Sequence, residues 1–229
     1  MNFFEFAEPI GQHATLNPRL WDGDTLKSHV RGALLRIAQD FLDFVDVPVE
    51  VLDIVIAGGN ANYTYTNKSD LDLHIIADFD KIHCDREVAE LFDTKRLLYK
   101  REYTIEVDGI PVELYIEDHR EPAVSSSYSV GHNRWIKEPR KDIPQYDQKQ
   151  LKHMVKVWKE VLANAIHTGD LQTCRTAVKL LRTYRRQGLR TAAGEFSIPN
   201  LVYKSLRNDS TVEGITTLIN RLHDQDLSI

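Results

Sequence analysis

Apolar positions fall into two regimes along the chain. Between about residues 49 and 117 they make short strand-like runs, and beyond Leu151 they recur every three or four residues. The first regime is preceded by a helix. From Asp24 or Thr25 to Val45 the positions Leu26, Val30, Ala33, Leu34, Ile37 and Phe41 follow helical spacing, and Pro48 ends the element. A strand follows over residues 49–57, apolar from Val51 to Ala57 except for Asp53, and Gly58-Gly59 closes it. After a polar, aromatic segment, a second strand begins at Asp70 and runs through Ala77. A second helix is predicted from Asp85 to about Tyr99. It leads into two strands, over residues 103–107 and 110–116, joined by the hairpin dipeptide Asp108-Gly109. In the later strand Glu113, Tyr115 and Glu117 share one face and Val112, Leu114 and Ile116 the other, which puts an acid in mid-strand.

Residues 125–146 have no clear period and are rich in Ser, Pro, Gly and charge, so a linker is expected there, around residues 139–144. The remainder reads as helix. One helix carries Leu151, Met154, Val155, Trp158 and Leu162 and stops at Gly169. A second carries Cys174, Ala177, Val178, Leu181 and Tyr184 and stops at Gly188. Two more cover residues 199–206 and 212–222. The expected architecture is α+β: a mixed sheet flanked by helices in residues 1–145, followed by a helical bundle in residues 146–229. Residues 1–20, with Phe3, Phe4 and Phe6 among Pro and Gly, read as an arm.

Composition narrows this picture in three ways. With 29 basic and 34 acidic residues the formal charge is −5, so any nucleic-acid surface has to be local. Cys84 and Cys174 are far apart and lack metal-ligand spacing, which indicates neither a disulfide framework nor zinc and suits a reducing cytoplasm. There is no export leader pattern, and nowhere do enough apolar residues run together to span a bilayer, so no membrane partner is expected.

The candidate chemistry lies at the glycine turn and the acids beyond it. The period of a strand points Asp70 and Asp72 to one face, and Glu113 joins them if its strand lies alongside. Asp-x-Asp alone is common at solvated strand starts. Here it coincides with a Gly-Gly turn, an apolar strand on each side and a mid-strand acid. Carboxylate oxygens of this kind suit Mg²⁺ or Mn²⁺. Two such ions can bridge a nucleotide's phosphates in an in-line displacement, while backbone N–H groups of the turn reach phosphate oxygens.

These residues resemble the nucleotidyltransferase superfamily that includes DNA polymerase beta. Its signature is a hydrophobic residue with Gly and Gly or Ser, a spacer, Asp-hydrophobic-Asp/Glu-hydrophobic, and a third acid on a later strand. Ala57-Gly58-Gly59, Asp70-Leu71-Asp72-Leu73 and Val112-Glu113-Leu114 fill it. Further stretches are similar to phage-encoded nucleotidyltransferases: Leu16-Asn17-Pro18-Arg19-Leu20-Trp21, Asn60-Ala61-Asn62-Tyr63-Thr64-Tyr65, Val112-Glu113-Leu114-Tyr115 and Gly194-Glu195-Phe196-Ser197. The resemblance implies a polymerase beta-like fold, metal binding by Asp70, Asp72 and Glu113, and nucleotide phosphate contact by Gly58, Gly59 and Asn60. Two departures accompany it: Gly59 stands where many members have Ser, and the third acid is Glu rather than the commoner Asp.

On the second C-terminal helix Arg175, Lys179, Arg182 and Arg186 fall at i, i+4, i+7 and i+11, with Arg185 and Arg190 nearby. Members of the superfamily use cations from this region, so Lys179 and Arg182 are expected to bind nucleotide, and the whole stripe to meet a triphosphate or an RNA or DNA acceptor. Lys152, Lys156 and Lys159 read as a solvated face. His74 is expected to pack beside the acids, and Tyr63 and Tyr65 either stack on a base or cover the core.

The sequence therefore points to a magnesium-dependent enzyme that moves a nucleoside monophosphate from an NTP, such as ATP, to an acceptor hydroxyl. The acceptor is a nucleic-acid 3′ end, a nucleotide, a protein or a small molecule. The alternative is a catalytically silent phage protein that binds nucleotide or nucleic acid and acts on host signalling or assembly. Either would work in the cytoplasm, the host's if phage-encoded.

Overall fold

The computed structural model describes residues 13–82, 85–120, 126–141 and 146–228. Sequence expectations for Phe3, Phe4, Phe6, Cys84, Ser125 and residues 142–145 lie outside them. The chain divides into two compact units, one within residues 12–141 and one centred on residues 142–229. No helix of the described residues is long and apolar enough to cross a membrane.

The first unit is built on a six-stranded mixed sheet. A short hairpin, β1 (Trp21–Asp22) and β2 (Thr25–Leu26), precedes helix α1 (Ser28–Val45). Strands β3 (Val51–Ala57) and β4 (Leu71–Ala77) come next, then helix α2 (Asp85–Glu102), then β5 (Glu106–Val107), β6 (Ile110–Asp118), β7 (Ser127–Ser129) and β8 (Arg134–Lys137). The sheet order is β5-β6-β4-β3-β7-β8. Only β4 and β6 run parallel, and α2 supplies the long connection that a parallel pair requires.

Alternation decides what each face of the sheet does. Leu71, Leu73, Ile75 and Ala77 of β4 are fully buried and share a core with Val30, Leu34, Ala38 and Phe41 of α1 and Phe92 and Tyr99 of α2. Asp72, His74 and Ile76 point to the other face and are half-buried. The tight turn between β5 and β6 uses left-handed backbone at both Asp108 (φ 49°) and Gly109 (φ 69°), as a two-residue hairpin demands.

Two expectations for this unit require correction. Helix α1 begins at Ser28 rather than at Asp24 or Thr25, because Thr25 and Leu26 pair with Asp22 and Trp21 in a hairpin. It ends at Val45 on a left-handed Asp46, before Pro48 is reached. Residues 127–137 are two strands of the main sheet rather than linker. Ser127, Tyr128 and Ser129 are all buried, Tyr128 pairs with Ile56 of β3, and Trp135 stacks on Trp21 at 4.9 Å. Buried serines flanking one aromatic invert the usual strand pattern, which hides such an edge from a reading of hydrophobic period.

The second unit contains α3 (Gln148–Thr168), α4 (Leu171–Leu189), α5 (Ile198–Asn208) and α6 (Thr211–Leu227) around Leu162, Cys174, Leu181, Leu201, Leu206 and Ile215. Asp147 and Asp170 cap α3 and α4 by accepting backbone N–H bonds, and left-handed Gly169 stops α3. Gly188 was expected to end the next helix. It instead lies inside α4, buried against α5, where a Cβ would come within 2.7 Å of Pro199 Cβ. Gly188→Ala is therefore expected to lower stability by about 1–3 kcal/mol through overpacking, measured by urea unfolding. An unchanged midpoint would show that α5 yields freely.

Candidate active site

Three strands bring the acidic residues together. Asp72 pairs across β4–β6 with Glu113 and across β4–β3 with Ala57, so Gly58, the next residue, lies beside Asp72. Asp70 stands immediately before β4. One carboxylate oxygen from each of Asp70, Asp72 and Glu113 lies within 4.8 Å of the others, and all three residues are half-buried. Three hard oxygen donors at this spacing fit a small divalent cation after modest closure, and the donor set contains nothing that prefers a softer metal. The structure thus brings the predicted acids together.

Gly58 is there for a steric reason. Its φ of 75° lies in the left-handed region, and a Cβ on it would collide with the Asp72 carboxylate. The next residues, Gly59–Ala61, turn in a single 3-10 helix. A Cβ on Gly59 would lie 3.3 Å from Ser69 Oγ, which accepts the Thr66 N–H at 2.9 Å. Here a serine sixty-nine residues into the chain, rather than one at Gly59, brings a hydroxyl to this spot.

Asn60 holds the turn in place. It is 1% exposed, and its carboxamide is occupied inside the protein. The NH₂ group donates to the Asp70 carbonyl at 2.7 Å, and Oδ1 accepts from Asn17 at 2.8 Å. The Trp21 indole donates to the Asn60 carbonyl at 2.8 Å. The side chain expected to touch phosphate thus links the glycine turn to the start of β4, and phosphate contact from this residue would fall to its backbone N–H.

Glu113 is held by two side chains. The Tyr115 hydroxyl donates to Oε2 at 2.8 Å, and the Lys100 ammonium of α2 pairs with Oε1. Burial, followed by the negative charge of Asp72, pushes the Tyr115 hydroxyl up to about 12, so it remains a donor at neutral pH. The Arg96 guanidinium lies 5.0 Å from the centre of the Tyr115 ring and offsets part of that shift. His74 stacks on the other partner side of this row, 4.8 Å from Tyr115, with Nδ1 2.9 Å from Glu117 Oε1. It packs beside the acids, as the pattern suggested, with Glu117 as a carboxylate partner.

Other candidates occupy more modest places. Tyr63 is buried under Lys141, and Tyr65 stacks on His13 at 3.8 Å. Lys179 and Arg182 lie on α4 of the second unit, on its exposed side. Lys100, Arg96 and Tyr115 were not singled out from the sequence as site residues. The i, i+4 spacing of Arg96 and Lys100 and the shared strand face of Glu113 and Tyr115 were the available signals.

No family model matches the chain, and no curated protein matches it in sequence. Among solved structures, the STING-associated CdnE c-di-GMP synthase from Capnocytophaga granulosa is similar at 14% identity and a TM-score of 0.25. The match covers 88% of this chain and 84% of that one. So loose an overlay transfers no residue.

Two expected outcomes follow from the hydrogen bonds. Asn60→Ala deprives the Asp70 and Ser69 carbonyls and Asn17 of their partner and should cost about 1–3 kcal/mol in urea unfolding; a cost near zero would mean that the turn holds without it. Tyr115→Phe should weaken Mn²⁺ binding about tenfold, followed by titration calorimetry, because Glu113 loses an orienting donor. Equal affinity would assign Tyr115 to packing alone.

Proposed function

We propose that the protein is a divalent-metal-dependent nucleotidyltransferase that transfers a nucleoside monophosphate from an NTP to an acceptor hydroxyl. The observation that carries this reading is the convergence of Asp70, Asp72 and Glu113 within 4.8 Å beside a glycine turn that admits no side chain. Asp70 and Asp72 leave one strand start as a pair, and Glu113 approaches from the neighbouring strand, so ligands arrive from two directions. Mg²⁺ held there would offset triphosphate charge and lower the pKa of the attacking hydroxyl.

In the reaction the acceptor oxygen forms a bond to the α-phosphorus as the bond from that phosphorus to the bridging oxygen breaks. Pyrophosphate leaves with the electron pair, and the hydroxyl proton passes to a carboxylate or to water. The chain's part is positional. Gly58 leaves room for the Asp72 carboxylate against the turn, Asn60 fixes the distance from the turn to Asp70, and Tyr115 and Lys100 hold the Glu113 carboxylate in one orientation.

One observation favours a second reading, a nucleotide binder without transfer activity: the Lys100 ammonium already neutralises Glu113, as in a purely structural ion pair. A single experiment separates the two. The chain is incubated with each NTP, Mg²⁺ and a pool of RNA, nucleotide and protein acceptors, and pyrophosphate release is followed. Transfer predicts release that falls at least about a hundredfold in Asp70→Asn/Asp72→Asn and in Glu113→Gln. No release with any NTP and acceptor, alongside retained NTP binding, supports the silent binder.

A further inference from the structure

The second unit carries a feature that the proposed reaction does not use. Residues 146–229 contain 13 Lys and Arg against 8 Asp and Glu, a net of +5, whereas residues 1–145 contain 16 against 26, a net of −10. The modest charge of the whole chain conceals this division. Within the second unit the positive charge is concentrated. Arg175, Lys179, Arg182, Arg185 and Arg186 of α4, with Tyr203 of α5, line a groove of about 890 Å³. Its apolar lining includes Val178 and Ile219, and Asn220 of α6 contributes a polar group.

The cations in this groove are not neutralised from within. Elsewhere in the unit Lys159 pairs with Asp209 at 2.7 Å, Lys204 with Glu195 at 3.9 Å and Lys156 with Glu160 at 4.0 Å. Among the described residues no carboxylate lies within ion-pair distance of the five groove cations. Arg175 and Lys179, and again Arg182 and Arg186, are like charges at i, i+4, an arrangement that destabilises a helix by a few tenths of a kcal/mol per pair. Among the described residues no ion pair offsets that cost.

One of the cations is also pre-oriented. Arg185 Nε donates to Asn200 Oδ1 at 3.1 Å, and its guanidinium lies 4.4 Å from the centre of the Tyr203 ring. Asn200 is 1% exposed and is itself fixed by donation to the Glu195 carbonyl at 2.6 Å. A guanidinium held by a buried amide and an aromatic ring loses little freedom when an anion arrives.

We infer that this groove binds a single strand of nucleic acid through its sugar-phosphate backbone. Length decides between a strand and a mononucleotide. From Arg175 to Arg186 is eleven residues of helix, about 16 Å of rise, and the three linked phosphates of a nucleotide span less than half of that. Successive phosphodiesters of an extended strand reach the whole row. A row of cations along one helix, beside a groove of about 890 Å³, is a track for one backbone rather than two. Apolar lining and an aromatic ring beneath a row of cations are also the composition by which single strands are held without regard to sequence. RNA and DNA share this chemistry. The inference is independent of the transfer reaction, since every residue in it lies outside the acidic cluster.

The test uses the full chain in EDTA, so that metal-bound carboxylates contribute nothing, with a fluorescent 15-nucleotide oligo(U) or oligo(dT) read by anisotropy over a salt series. Five contacts predict a slope of log K against log salt near −3.5, and Arg182→Gln/Arg186→Gln should reduce its magnitude by about 1.4. Arg175→Gln/Lys179→Gln, at the far end of the row, should reduce it equally. Far-UV circular dichroism and the melting temperature establish that both variants are folded. Asp70→Asn/Asp72→Asn should bind the strand like the parent even if it has lost pyrophosphate release, which keeps this inference separate from the reaction. No binding, an unchanged slope in either groove variant, or tighter binding of a 15-base-pair duplex would overturn it. So would displacement of the strand by ATP or inorganic triphosphate at equal phosphate concentration, which would assign the groove to mononucleotides.

Discussion

Three carboxylates held within 4.8 Å repel one another, and most of the first unit can be understood as what keeps them together. At an effective dielectric of about 20, each ionised pair at this distance costs roughly 3 kcal/mol, a sizeable fraction of a domain's net stability. The sheet register meets part of that cost with backbone hydrogen bonds. Asp72 and Glu113 are opposite each other on parallel strands whose other faces carry Leu73 and Leu114 into the core. To separate the acids, the sheet would have to give up that buried face. Lys100 and Tyr115 then lower the remaining repulsion at Glu113.

The glycine turn depends on the same arrangement. Its approach to Asp72 leaves no room for a Cβ, and the turn is kept there by Asn60, whose carboxamide joins Asn17 and Asp70 and whose backbone carbonyl accepts the Trp21 indole N–H. Trp21 in turn stacks on Trp135 and meets Tyr128 edge-on, so the edge strands and the N-terminal hairpin brace a turn some forty residues away in sequence. The positioning of one acid is thus distributed over elements that carry no chemistry themselves.

Much of this was legible in the sequence. The apolar alternation of β4 and β6, the Asp108-Gly109 turn and the four helical periods beyond Leu151 all correspond to elements, and the acids converge where strand parity placed them. What was illegible shares a physical cause. The strand Ser127–Ser129 buries serines, and the Ser129 hydroxyl finds Asp53 only once the chain is folded, so no hydrophobic period marks it. Asn60 reads as a loop polar residue until Asn17 and Asp70 are beside it. Lys100 reaches Glu113 from the preceding helix, across thirteen residues that contain a hairpin turn. Each is a long-range polar contact, and local periodicity carries no information about those.

Gly188 shows how finely such a contact can be set. It lies within α4, on the side of that helix that meets Pro199 and Ser197, while Arg185 and Arg186, which end the cationic row, stand only three and two residues earlier. At this end α4 approaches α5 so closely that a Cβ on Gly188 would lie 2.7 Å from Pro199 Cβ. A residue that does not line the groove thus bears on the helix that carries its cations, and an added methyl there would press on α5 with every lining residue left unchanged.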